Sequence, residues 1–194
     1  MSDSIKFWNR MAERYASKPV ANEALYQKKL SISQTYLNKN MRVLEFGCGT
    51  GTTALIHAEY VKQYDASDIS PKMIDISKTK LAAHPADNLR FSCAALEALN
   101  LDAEQYDAVL GMSILHLVDE PAHTIQTVFD TLKPGGVFIS STACIKEAMP
   151  WFGLVAKLAR LLRLLPQIHV FSQAELTQML TRSGFAIDYQ LDTD

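Results

Sequence analysis

A chain of 194 residues, 48% hydrophobic and 21% charged, has the length of about one domain and enough apolar content to bury a core. A formal net charge of −2 with a pI near 6.2 gives no support for a nucleic-acid-binding surface. Three cysteines without CxxC spacing argue against a disulfide framework and read as small buried hydrophobes in a reducing compartment, while no apolar run reaches the roughly 18 residues of a membrane span.

Residues 5–16 and 21–37 read as helices, interrupted by Pro19. An alternation follows. "MRVLEF" (41–46) is a short apolar strand, "TTALIHAEY" (52–60) a helix, "VKQYDASD" (61–68) a second strand. "SPKMIDISKTKLAA" (70–83) is a helix with Ser70 as N-cap and Pro71 in the first turn. "LRFSCA" (89–94) and "YDAVLGMS" (106–113) are the third and fourth strands, and "EPAHTIQTVFDTL" (120–132) is a helix that stops at the turn "KPGG". "VFISSTA" (137–143) is the fifth strand. Ser172 and Glu175 form a capping box for the last helix, Gly184 ends it, and "FAIDYQ" suits a sixth strand. Strands and helices alternating at this rhythm imply parallel strands with right-handed crossovers, and so a doubly wound α/β sheet. Its ligand site should lie outside the carboxyl end of the first strand, at Gly47, Gly49 and Gly51 in "VLEFGCGTG".

The ligand can be narrowed from the residues. No lysine follows Gly51, so a phosphate-cradling GxxxxGK[ST] loop is absent. A dinucleotide fingerprint needs glycine where Thr52 stands. Asp68 ends the second strand, one helix and one strand after the glycines, which returns its carboxylate beside them, where it can accept hydrogen bonds from both hydroxyls of a ribose.

"EFGCGTG" resembles motif I of the class I S-adenosylmethionine-dependent methyltransferases of small-molecule type. "ASDISPKMI" is similar to the family's "DISPEMI", "MSILHLVDEP" to its stretch after strand four, and "LKPGGVFIS" to its run before strand five. The resemblance covers roughly residues 41–143 and implies a Rossmann-like methyltransferase sheet of six or seven strands in the order 3-2-1-4-5-7-6. Only "LDTD" remains for strand seven, so that strand is absent or the chain is cut short. The implied cofactor is S-adenosylmethionine, bound by Glu45, Gly47, Cys48, Gly49, Gly51, Asp68, Ile69, Met73, Ala95, Leu96 and Met112. In this reading Glu45 meets the cofactor's ammonium directly or through water, and Ile69 forms an apolar wall against the adenine. Met73 either joins that wall or packs in the core. Ala94 stands where the family often has an acid facing the adenine amino group, which leaves that edge to the backbone of Ala95 and Leu96. Glu97 reads as a solvated charge.

Methyl transfer from a sulfonium leaves the protein chiefly to position the acceptor and exclude water. A base is needed only where the acceptor has a proton to lose. His116, after strand four, is the candidate base and acceptor contact, with a packing histidine as the alternative. His57, His84 and His123 read as surface residues, and His169 as packing near the rim. No Asn-Pro-Pro-Tyr-like run follows strand four, which argues against methylation of DNA adenine. Phe7, Trp8, Met11 and Tyr15 share helical spacing, as edge packing or as a lid that puts Tyr15 over cofactor or acceptor. Residues 154–165 give a leucine face with a basic strip of Lys157, Arg160 and Arg163; this reads as a cover helix, a lid or a membrane-surface contact. Trp151 and Phe152 before it could wall an aromatic acceptor pocket.

The expectation is one methyltransferase domain over residues 1–194, with an N-terminal helical lid at 1–38 and a helical insert at 144–171. It acts in the cytoplasm on a small-molecule acceptor, without nucleic acid, metal or stable membrane insertion, as a monomer or homodimer. Two rivals stand beside it: a non-catalytic protein of the same fold that binds cofactor or a partner, and an NAD-dependent oxidoreductase.

Overall fold

The computed structural model describes residues 2–144, 146 and 168–191. Among these residues, five parallel strands form one sheet in the order β3-β2-β1-β4-β5. These are β1 (Arg42–Phe46), β2 (Gln63–Asp68), β3 (Leu89–Cys93), β4 (Tyr106–Met112) and β5 (Leu132–Ser141). The helices among the described residues are α1 (Ser2–Ser17), α2 (Glu23–Thr35), α3 (Thr52–Ala58), α4 (Pro71–Ala83), α5 (Pro121–Thr131) and α6 (Gln173–Arg182), with a 3₁₀ turn at Leu96–Ala98. The doubly wound α/β architecture is therefore as expected.

Residue alternation along the central strands builds both faces of the core. Val43, Ala108 and Leu110 pack with Ala54 and Ala58 of α3 and Ile74 of α4. Leu44, Phe46 and Val109 pack on the other face with Ile125 and Val128 of α5. Strands β1 and β4 are buried along nearly their whole length, as a parallel sheet covered on both sides requires. The caps agree with the sequence: Ser70 accepts from the Met73 amide, and Ser172 and Glu175 complete a capping box.

Two expectations are corrected. "KPGG" does not precede the fifth strand but lies inside it: Leu132 pairs with Tyr106 and Val137 with Ala108, so residues 133–136 bulge out opposite Asp107 alone. Gly135, at φ +77°, supplies the left-handed residue this bulge needs. Residues 185–190 form no sixth strand. Phe185 packs instead against Phe129 at 5.2 Å and Phe138 at 5.6 Å between ring centroids, and the Tyr36 hydroxyl donates to Asp188, so these two side-chain contacts hold the segment in place of a ladder on β5. The leucine-rich stretch of 154–165 lies outside the described residues.

The amino ends of the strands carry a polar network. Arg42 pairs with Asp65 at 3.0 Å and lies over the Tyr106 ring, whose hydroxyl also donates to Asp65. The carboxyl ends open into a cleft. No described helix is long and apolar enough to cross a membrane.

Candidate active site

The glycine loop leaves β1 with Gly47, Gly49 and Gly51 at φ +66°, +54° and +73°, a region side chains rarely adopt. The three differ in what surrounds them. A Cβ on Gly47 would meet Ile114 Cγ1 at 2.5 Å, and one on Gly51 would meet Phe91 at 2.6 Å and Ser77 Cβ at 2.7 Å. At Gly49 the nearest atom is Tyr15 Cε1, 3.8 Å away. Gly47 and Gly51 thus let the loop pack onto the protein, whereas Gly49 leaves backbone open beneath Tyr15.

Asp68 ties this loop to the end of β2. Its Oδ2 accepts from the Gly49 amide at 3.0 Å and its Oδ1 from the Ser70 amide at 2.8 Å. Burial raises its pKa, and the two amide hydrogen bonds oppose that rise. A carboxylate has about four acceptor sites, so each oxygen keeps one for a ligand hydroxyl. Lys80 of α4 secures the loop from outside by donating to the hydroxyls of Thr50 and Thr52 at 3.0 and 2.8 Å.

The cleft so formed has a volume of about 470 Å³, within the range of small-molecule sites. Of the residues singled out in the sequence, Gly47, Gly49, Asp68, Ile69, Met73, Ala95, Leu96, Met112 and Tyr15 line it. Met73 is only 2% exposed, so it serves the core and the wall together.

Glu45, Cys48 and Gly51 are not among the lining residues. Glu45 lies behind the loop, 2% exposed, accepting the Tyr64 hydroxyl at 2.9 Å. Burial pushes its pKa up to about 7, against the hydrogen bond from Tyr64, which lowers it. Cys48 is buried, and burial pushes its thiol well above the ordinary range. Cys93, in contrast, is exposed.

His116 is not on the wall either. The turn after β4 presents Ile114, Leu117 and Val118 to the cleft, while Leu115 is fully buried and His116 Nδ1 is buried with no partner among the described residues. Burial, then the neighbouring His169, lowers its pKa. Trp151 and Phe152 lie outside the described residues.

Some wall residues, Ser4 among them, were not singled out by the sequence. Ser4 and Trp8 join Tyr15 on one face of α1, which is strapped to the start of α4 through Asn9: its Oδ1 accepts from the Ser70 hydroxyl at 2.7 Å and the Lys72 amide at 3.3 Å. The helical spacing of Trp8 and Tyr15 carried this signal; Asn9 carried none. Glu97 and His123 are exposed, as the sequence suggested, and both also line the cleft; Glu97 accepts the hydroxyl of fully buried Thr124 at 2.7 Å. His57 is fully buried against Tyr64.

A doubly wound sheet with a switch-point cleft, a glycine loop and a carboxylate ending the second strand defines an α/β domain built for a nucleoside-bearing ligand. Residues 8–190 match the family model described as "Methyltransferase domain", and the chain belongs to that family. The ubiquinone biosynthesis O-methyltransferase of Coxiella burnetii is 31% identical over 111 residues, 57% of this chain and 47% of that protein. The tRNA 5-carboxymethoxyuridine methyltransferase of Escherichia coli is 36% identical over 101 residues, 51% of this chain and 39% of that protein. The chain thus spans about half or less of the length of these curated relatives. Geranyl diphosphate C-methyltransferase from Streptomyces coelicolor, solved with S-adenosylhomocysteine, shares the fold at a TM-score of 0.71 and 14% identity, over 94% of this chain and 78% of that one.

Family membership makes S-adenosylmethionine the cofactor the cleft has to accommodate, and its residues fit. Gly49 leaves open backbone, Asp68 has acceptor sites to spare, and Ile69, Met73 and Leu96 supply apolar wall. Among the described residues the lining carries the carboxylates Asp68, Glu97, Asp119 and Glu120 and neither lysine nor arginine, which suits a cationic ligand.

Proposed function

We propose that this protein transfers a methyl group from S-adenosylmethionine to a small-molecule acceptor. The observation that carries the reading is the Asp68–Gly49 hydrogen bond at the mouth of a 470 Å³ cleft beneath Tyr15. When bound, the cofactor supplies an activated methyl group on sulfur. The chain's residues bind, orient and exclude water.

Asp68 takes the ribose hydroxyls, while the Gly47 and Gly49 backbone admits the ribose and methionine portions. Ile69, Met73, Ala95, Leu96 and Met112 form the remaining contacts with the cofactor. Glu45 acts from behind the loop as a buried countercharge instead of touching it. Tyr15, Trp8 and Ser4 cover the site as the inner face of a lid. His116 serves packing, a reading supported by its absence from the lining and by its buried Nδ1. The acidic pI, near 6.2, and the acidic cleft wall support a small acceptor over a nucleic acid, although one relative is named for a tRNA nucleoside. A cytoplasmic monomer or homodimer completes the proposal.

Thermal unfolding with S-adenosylhomocysteine, S-adenosylmethionine and NAD, on the wild type and Asp68→Ala, tests it. A ligand at about 100 times its dissociation constant adds about 2.7 kcal/mol of stability. Stabilisation by the homocysteine product, lost in Asp68→Ala, together with its formation in an acceptor screen, is the expected result. Binding without turnover would favour a non-catalytic role, and stabilisation by NAD alone would favour a redox enzyme.

A further inference from the structure

At the carboxyl ends of β4 and β5, beside the cleft, a lysine stands without a countercharge. The Lys29 ammonium of α2 is half-buried and donates to the Ser141 hydroxyl at 2.8 Å, and no carboxylate pairs with it among the described residues. Ser141 ends β5 opposite Met112, and its carbonyl accepts the Ser113 amide at 2.7 Å. Ser113 lines the cleft at φ +57°, exposed, its hydroxyl without a hydrogen bond among the described residues. Tyr26, one turn earlier on α2, meets Thr53 at 3.3 Å, so α2 runs from behind the glycine loop to the β5 exit.

An ammonium has three donors, and the Ser141 hydroxyl takes one of them, which leaves donors for a ligand. A non-glycine residue at positive φ is strained, and such strain concentrates at ligand sites. Among the described residues the carboxylates lining the cleft are Asp68, Glu97, Asp119 and Glu120, and Lys29 stands apart from them as a cation next to Ser141.

Resting on the methyltransferase reading, we propose that Lys29, Ser141 and Ser113 form the acceptor subsite and that the acceptor carries an anionic oxyacid group, a carboxylate or a phosphate monoester. The Lys29 ammonium supplies the charge and the two hydroxyls the remaining donors. An anionic acceptor beside a cationic donor also draws the reactants together in a water-poor cleft.

Benzoate, phenyl phosphate and uncharged benzamide serve as probes, titrated into nitrogen-15-labelled protein with and without S-adenosylhomocysteine, reading the Ser113 and Ser141 amides. The expected result is that one or both anions perturb these amides and benzamide does not. The stronger of the two anions identifies the oxyacid class. Lys29→Gln should weaken the anion by about tenfold or more while S-adenosylhomocysteine binds unchanged, and Lys29→Arg should recover part of it. Lys28→Gln, on the exposed face of the same helix, should change nothing. Equal effects of benzamide, undiminished anion binding in Lys29→Gln, or no response to either anion at tens of millimolar would overturn the subsite. Failure of S-adenosylhomocysteine to bind would sink the cofactor reading instead, and the cofactor-free titration still decides the anion site.

Discussion

Asp68 and Gly49, 19 residues apart, are held by one hydrogen bond of 3.0 Å from the glycine amide to the carboxylate. The same side chain fixes the first turn after β2 through Ser70. One carboxylate therefore sets the spacing between two loops that must both face a ligand, and it holds each with only part of its acceptor capacity. Asp68→Asn should keep the fold and weaken S-adenosylhomocysteine by about tenfold or more, since a charge-assisted bond becomes a neutral one. Isothermal titration checks this. Unchanged affinity would remove Asp68 from the site.

The three loop glycines should separate in their consequences. Gly51→Ala has positive φ and meets the buried Ser77 Cβ at 2.7 Å, so about 3 kcal/mol and a fall in Tm of about 6–12 °C are expected. Gly49→Ala meets only Tyr15 at 3.8 Å and should cost about 1 kcal/mol in stability. Its methyl group points to open space at the cleft, so it should instead lose cofactor affinity. Paired thermal unfolding and titration distinguish the two.

Glu45 and His57 are buried on either side of Tyr64 and should pull the pH dependence of stability in opposite directions. The Glu45 pKa is raised to about 7 by burial, so its stabilising contribution is complete below the unfolded value near 4.5 and is lost as pH rises through about 7. Burial lowers His57 to about 4, so its contribution is complete above the unfolded value near 6.5 and is lost as pH falls through about 4. The wild type should show a shallow profile between pH 4 and 7, as these slopes oppose. Glu45→Gln should expose a rise in stability with pH over that window, and His57→Phe a fall. Chemical denaturation across the window measures each slope, and identical profiles in both variants would refute the assignment.

Asn9 should act as the fastening of the lid. Asn9→Ala removes the acceptor shared by the Ser70 hydroxyl and the Lys72 amide. Amide exchange in α1 should quicken, and S-adenosylhomocysteine should bind several-fold more weakly, with Tm lowered by no more than a few degrees. An α1 that exchanges as in the wild type would show that packing alone holds it.

The parts legible in the sequence are those with a local physical cause. Positive φ demands glycine, so Gly47, Gly49 and Gly51 announced the loop. The N-caps Ser70 and Ser172 satisfy nearby amides, and the alternation of strand and helix is periodic. Asp68 followed from chain length: one helix and one strand return a residue to the same edge. The bulge at residues 133–136 was misplaced because a Pro-Gly-Gly run marks a turn, without saying whether the ladder resumes around it. The expected strand at 185–190 failed because Phe185 anchors in an aromatic cluster with Phe129 and Phe138, while Ile187 and Tyr189 stay exposed and have no core face to bury.

By itself, then, the sequence determined the doubly wound α/β class, the position of the glycine loop and the acid that faces it, because backbone dihedrals and hydrophobic period act over a few residues. Only the tertiary structure decided which side chains face the cleft. It left His116 off the wall and put Ile114, Leu117 and Val118 on it, hid Glu45 behind the loop, and brought Glu97 and His123 to the wall. It also set Lys29 of α2 on Ser141 of β5, 112 residues away. Those choices depend on how separate elements pack against one another, and a contact between distant residues leaves no local trace in either.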